Sequence, residues 1–223
     1  MQLKKILVLL LLLSISAGIY AQSPDQPFYN DVMAFKKKDS LTPPPANPIL
    51  FIGSSSFTKW TNVQEAFPGY TILNRAFGGS TLLDLIRYTD QVIFPYNPKQ
   101  IVIYCGENDV ASSDSIDSKI VADRFKVLFT KIRAKMPAVP IVFVSMKPSP
   151  VRAKFRNTIV QGNQIIKNYL WTQKNTAYVD VFSKMLDENG NDRKELFLED
   201  NMHMKPEGYV IWQEVMKPYL MKN

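Results

Sequence analysis

The chain is predicted to be an α/β protein, a parallel β-sheet with helices on both faces. Three observations lead there. Five short apolar runs, at residues 49–52, 71–73, 100–104, 141–145 and 177–181, recur along the chain with the length and character of buried strands. Longer amphipathic segments at 56–66, 82–92, 116–135, 156–171 and 206–220 stand between and after them, as crossover helices must. The turns after the strands are rich in Ser, Gly and Asn, and the carboxyl edge of such a sheet is where α/β folds place their chemistry.

From the amino terminus, Lys4 and Lys5 precede an apolar run, and small or polar residues then lead to Ala21. Residues 1–21 therefore read as a cleaved secretory signal, and the protein is expected to be secreted or periplasmic. The apolar core is short for a membrane span, so no stable membrane insertion is expected after cleavage. Without the two signal lysines, 25 basic residues face 20 acidic ones, leaving a mild +5. The basic residues are scattered over helical segments, a pattern of solvated helix faces rather than a nucleic-acid footprint. Residues 22–47 form a proline-containing leader with a short polar helix at 30–38, expected to pack on the domain formed by 48–223. Cys105 is the one cysteine, so no intramolecular disulfide forms, and its place after an apolar run predicts burial.

The first strand runs into Gly53, Ser54, Ser55 and Ser56. A serine there projects from the carboxyl edge of the sheet, and the helix start behind it leaves N–H groups free for an anion. The same serines equally suit an N-cap. After the second strand, Gly78 and Gly79 let a backbone amide approach a ligand without a side chain in the way. After the third, the Gly106-Glu107-Asn108-Asp109 turn offers the Asn108 amide as a hydrogen-bond donor, or makes an Asx-type turn. His203, the one histidine, follows Asp200 by three residues, so the carboxylate can hold one ring nitrogen while the other takes a proton. One histidine and one cysteine make a zinc site a poor fit. The acidic stretch 187–192 lacks EF-hand spacing and carries Asn189-Gly190, a turn pair.

Taken together and in this order, the serine turn, the glycine turn, Gly-x-Asn-Asp and Asp-x-x-His resemble the SGNH hydrolase superfamily, also called the GDSL esterase and lipase family. The resemblance covers nearly all of the mature chain. It implies a three-layer α/β/α sandwich with a five-stranded parallel sheet, similar to flavodoxin. It also implies Ser55 as nucleophile, Asp200 and His203 as its partners, and an oxyanion hole from the amides of Ser55 and Gly79 with the Asn108 side chain. No cofactor and no metal is implied. Two positions depart from the family pattern: Ser54 stands where an aspartate is usual, and Ala76 where the second motif usually begins with glycine. Ser54 and Ser56 flank Ser55, and geometry must separate them.

The activity implied is hydrolysis of a small-molecule or carbohydrate ester, with an acetyl group favoured because no long apolar insertion is present to cover a lipid. The loops expected on the active rim carry Lys59, Trp60, Arg75, Phe77, Lys147 and Arg152, side chains suited to a sugar. A lipid-directed lysophospholipase or thioesterase, an acyltransferase using the same acyl-enzyme, and a non-catalytic carbohydrate-binding domain are the alternatives.

Overall fold

The structure is a computed structural model that describes residues 25–222; the proposed signal segment lies outside the described residues. Five parallel strands, β1 (Ile49–Gly53), β2 (Ile72–Asn74), β3 (Gln100–Tyr104), β4 (Ile141–Val144) and β5 (Thr176–Val179), form one sheet in the order β2-β1-β3-β4-β5. Chain order reverses beside β1, with Ile49 opposite Ile72 on one side and Gln100 on the other. The carboxyl end of β1 is therefore the crevice of a doubly wound sheet.

Alternation along the strands fills two cores, one on each side of the sheet. Leu50, Ile52, Ile101, Ile103, Ile141 and Phe143 face one side. Ile49, Phe51, Val102, Tyr104, Val142 and Val144 face the other. Helix α1 (Tyr29–Leu41) packs on the first side through Val32, and Pro27 just before it accepts a hydrogen bond from the buried Tyr88 at 2.7 Å. On the second side, α2 (Ser55–Thr58) and α3 (Val63–Ala66) replace one continuous helix. The break serves Trp60, whose ring is buried between Phe67 and Tyr209 at centroid separations of 5.5 and 5.0 Å.

The segment after β2 divides in the same way, into α4 (Leu82–Arg87) and α5 (Thr89–Val92) about Tyr88. A short helix, α6 (Glu107–Ala111), follows β3. Next, α7 (Ser118–Lys135) starts on an Asp117 N-cap that accepts the Ile120 N–H at 2.8 Å, and it buries Val121, Phe125, Leu128 and Ile132 on one stripe. Helix α8 (Arg156–Trp171) packs beside it, and α9 (Pro206–Met216) closes the second side with Trp212 and Met216. Pro218 then turns the end of α9 into a 3₁₀ turn, Lys217–Tyr219, shortening the helix expected to reach residue 220.

Among the described residues no helix is long and apolar enough to cross a membrane.

Candidate active site

The serine turn begins where the end of β1 lies against the end of β3, Gly53 opposite Tyr104. Gly53 has φ +139°, and a Cβ there would lie 1.8 Å from the Tyr104 carbonyl oxygen, so no other residue fits. The Ser54 N–H donates to the same oxygen at 3.1 Å, and the Ser54 carbonyl accepts the N–H groups of Phe57 and Thr58. These bonds wind the chain at once into α2 and give the three serines different surroundings. Ser54 is buried, and its Oγ accepts a hydrogen bond from Asn108 Nδ2 at 2.7 Å. Ser56 is buried at the start of the second core. Ser55 alone of the three is partly open to solvent.

The glycine turn is laced to the serine turn. The Gly53 carbonyl accepts both the Phe77 N–H at 3.0 Å and the Ser80 hydroxyl at 3.1 Å. Gly78 is so close that a Cβ on it would sit 3.8 Å from the Ser55 Cβ. Gly79 takes φ +85°, the left-handed region, with the Phe28 ring against its bare face. Ala76 is buried and its N–H donates to Asn74 Oδ1 at 3.0 Å, so the departure from glycine falls at an ordinary backbone position.

Asn108, in α6, has every polar atom of its side chain engaged. Nδ2 donates to Ser54 Oγ and, at 2.9 Å, to the Ser80 carbonyl; Oδ1 accepts from Arg152 Nη2 at 2.6 Å. The next residue of that motif, Asp109, does different work. Fully buried, it accepts the Leu82 N–H and Arg124 Nη1, each at 2.8 Å, and so ties the start of α4 and the second turn of α7 to α6. Burial pushes its carboxyl upward, with Arg124 opposing.

The Asp200–His203 loop is pinned at its base by an antiparallel bridge between Phe197 and Met204. Leu198 donates to the His203 carbonyl at 2.8 Å. Asp200 Oδ1 accepts the N–H groups of Met202 and His203, each at 2.9 Å, and Oδ2 meets His203 Nδ1 at 2.6 Å. The backbone N–H of His203, its ring and the Met202 N–H hold the Asp200 carboxyl well below the usual carboxylate range. Among the described residues, His203 Nε2 has no hydrogen-bonded partner.

Between these segments, at the ends of β3 and β4, lies a buried ionic cluster. Lys147 Nζ donates to both Glu107 oxygens, at 3.2 and 3.0 Å, and lies 3.0 Å from Ser149 Oγ. Arg152 Nη1 is 3.6 Å from Glu107 Oε2. Burial pulls the Lys147 ammonium below the usual lysine value, and Glu107 pulls the other way. The small pocket at the carboxyl edge of the sheet is lined by the three serines, Asn108, Lys147 and Arg152, with Met202 on the imidazole side.

Several residues expected on the rim are elsewhere. Trp60 and Phe77 are core aromatics. Arg75 is buried, bound to Asp39 of α1 and, through Nε, to the Tyr96 hydroxyl at 2.8 Å. Lys147 reaches the pocket wall but is consumed by Glu107. Cys105 is buried, and burial pushes its thiol up, both against a nucleophilic role. Among the described residues no group of His, Cys, Asp and Glu is placed to hold a metal ion.

A family model, the GDSL-like lipase/acylhydrolase family, matches residues 39–211. The chain belongs to that family. As a GDSL acylhydrolase it is a carboxylic ester hydrolase with the SGNH fold. A GDSL-like lipase from Bacteroides thetaiotaomicron superposes with a TM-score of 0.70 at 18% identity, over 84% of this chain and 96% of that one. A mutant acetyl-xylooligosaccharide esterase from Geobacillus Stearmophilus gives 0.61 at 14% identity, over 80% and 96%. A family 3 carbohydrate esterase from Clostridium thermocellum gives 0.60 at 16%, over 78% and 97%. At these identities the likeness establishes the shared sheet and helix layers of the family. Comparison with curated proteins gives no match.

Proposed function

We propose that this acylhydrolase is an exported serine esterase that removes short acyl groups, acetyl above all, from carbohydrates. The observation that carries the reading is the 2.6 Å contact between Asp200 Oδ2 and the Nδ1 of the only histidine, which leaves Nε2 to act as base. Ser55 is the nucleophile: it is the one serine of the turn that is partly open, and it faces the glycine turn. Its Oγ attacks the ester carbonyl carbon while Nε2 takes the hydroxyl proton. Negative charge gathers on the carbonyl oxygen, where the N–H groups of Ser55 and Gly79 and Asn108 Nδ2 are the donors. Nε2 returns its proton to the departing alcohol, leaving the acyl group on Ser55. Water then attacks with the same base, and a carboxylate is released.

Two features favour a short acyl group on a polar alcohol. The pocket beside Ser55 is small and its walls carry Asn108, Lys147 and Arg152, which leaves little room for the gain of about 0.8 kcal/mol that each buried CH₂ of a longer acyl chain would bring. Two proteins of the same fold act on acetylated oligosaccharides or carbohydrates by their descriptions. Export rests on the amino-terminal segment, which puts the enzyme among extracellular glycans.

Fluorophosphonate labelling with mass mapping, beside p-nitrophenyl esters of rising chain length and acetylated xylooligosaccharides, tests this. The label should fall on Ser55, and kcat/KM should be highest with acetate or propionate. A label on Ser54 or Ser56 would overturn the nucleophile; a rise toward octanoate would overturn the acyl preference in favour of a lipid ester.

A further inference from the structure

We propose that Arg152 is a positioning residue for the oxyanion hole: it fixes the orientation of the Asn108 amide and places an unbalanced positive charge directly behind it. The inference rests on the esterase reading above and adds a residue to its machinery.

An asparagine amide has two orientations that fill the same space, and only the one that turns Nδ2 toward the serine turn makes it a donor to the oxyanion. Here the choice is made by charge. Oδ1 accepts from Arg152 Nη2 at 2.6 Å, and Nδ2 donates to the Ser80 carbonyl at 2.9 Å. A flip would set the NH₂ group against a guanidinium and Oδ1 against a carbonyl oxygen, repulsive on both sides. The remaining partner of Nδ2 is the Ser54 hydroxyl at 2.7 Å. That hydroxyl is a neutral, rotatable acceptor, so the N–H that it holds can turn to a developing oxyanion.

The balance of charge acts in the same direction. Among the described residues Glu107 is the only carboxylate that meets Arg152, at 3.6 Å, and both of its oxygens are already committed to Lys147. In direct contact, two cations thus share one anion where all three side chains are at most 11% exposed, with the Asp200 carboxylate acting on Lys147 from farther off. A negative charge forming at Asn108 Nδ2 completes that balance, and in a poorly solvated pocket the gain exceeds what the same charges would give in water. Arg152 also touches Met202 Sδ at 3.9 Å, while the Val151 N–H donates to the Asn201 carbonyl at 3.2 Å. The 3₁₀ turn Pro150–Phe155 thereby holds the oxyanion donor and the imidazole loop in one frame.

The test is a double-mutant cycle on p-nitrophenyl acetate hydrolysis with Arg152→Gln, Arg152→Lys and Asn108→Ala, each variant checked by thermal unfolding and fluorophosphonate labelling. Arg152→Gln should lower kcat by about 10- to 100-fold, of the order of losing part of one oxyanion donor, with KM changed less than about threefold. In the Asn108→Ala background the same change should cost less than about threefold, because the group it acts through is gone. Arg152→Lys should fold and recover part of the loss. An equal loss in both backgrounds, a rise in KM at constant kcat, or unchanged turnover would overturn the proposal while leaving the esterase reading intact. A wild-type protein that neither hydrolyses esters nor takes the label would overturn the esterase reading itself, and this inference with it.

Discussion

Replacing Lys147 with methionine removes one charge from the buried cluster while keeping most of the side chain's bulk, and the structure sets the size of the effect. The Lys147 and Glu107 side chains are 3% and 7% exposed, with Nζ at 3.2 and 3.0 Å from the two carboxylate oxygens. Breaking a buried pair of this kind from one side costs about 3–5 kcal/mol, because the other charge is left without its partner. Glu107 is not left wholly alone. It keeps the Ser149 hydroxyl at 3.0 Å and has the Arg152 guanidinium 3.6 Å away, so the expected loss lies lower, at about 2–4 kcal/mol. Against a total stability of about 5–15 kcal/mol this is large, and at about 2–4 °C per kcal/mol for a domain of this size it lowers Tm by about 4–16 °C. Urea unfolding read by the fluorescence of buried Trp60 and Trp212 measures it. The mutation also draws Arg152 toward Glu107 and away from Asn108, so kcat should fall with stability. Adding Glu107→Gln should restore part of the loss, since the orphaned charge is then gone. A cost below about 1 kcal/mol, or a double variant as unstable as the two single losses combined, would refute the reasoning.

Two further outcomes follow from the turns that carry the site. Gly53→Ala should cost more than about 3 kcal/mol or abolish folding, since its Cβ meets a backbone oxygen at 1.8 Å, whereas Gly190→Ala, also at positive φ but in open space, should cost about 1 kcal/mol; thermal unfolding of the pair separates close approach from backbone strain. Asp200 has a lowered pKa, so it stays ionised as pH falls below the ordinary carboxylate range; its contribution to stability is complete above its unfolded value of about 3.9 and is lost only as pH drops through the lower folded value. Asp200→Asn should lower kcat by about 10²–10⁴-fold by freeing the His203 ring, measured on p-nitrophenyl acetate.

The fold was legible because its signals are local. Strands β1, β3 and β4 are nearly unbroken apolar runs, as sheets buried on both faces require, and the five expected strands all appear within a residue or two of their predicted ends. The errors came where distant contacts override local pattern. Nothing near Trp60 in the chain reveals that Tyr209 and Trp212 wait for its ring, and nothing near Tyr88 reveals the Pro27 carbonyl. Each buried aromatic interrupts what reads from sequence as one helix. Gly53 and the Asp200–His203 pair are the opposite case, held by bonds to the neighbouring strand end or within their own loop, whereas Asn108 takes its partners from three distant turns.

The ionic cluster was partly recoverable from the predicted topology. Glu107 lies three residues past the end of β3 and Lys147 three residues past the end of β4, and the two strands are neighbours in register, Ile103 opposite Phe143. Equal overhangs from adjacent parallel strands bring the two side chains together, so a lysine that the sequence places on the substrate rim finds a carboxylate first. Arg75 is similarly misread, because its carboxylate, Asp39, comes from the leader that precedes the sheet. Counting cations at the carboxyl edge therefore overstates what a ligand can meet, unless the carboxylates on neighbouring turns are subtracted. That subtraction removes Arg75 and Lys147. It leaves Lys59, exposed beside a separate groove, and Arg152, with its one carboxylate shared and its guanidinium bonded to the Asn108 amide, the proposed oxyanion donor.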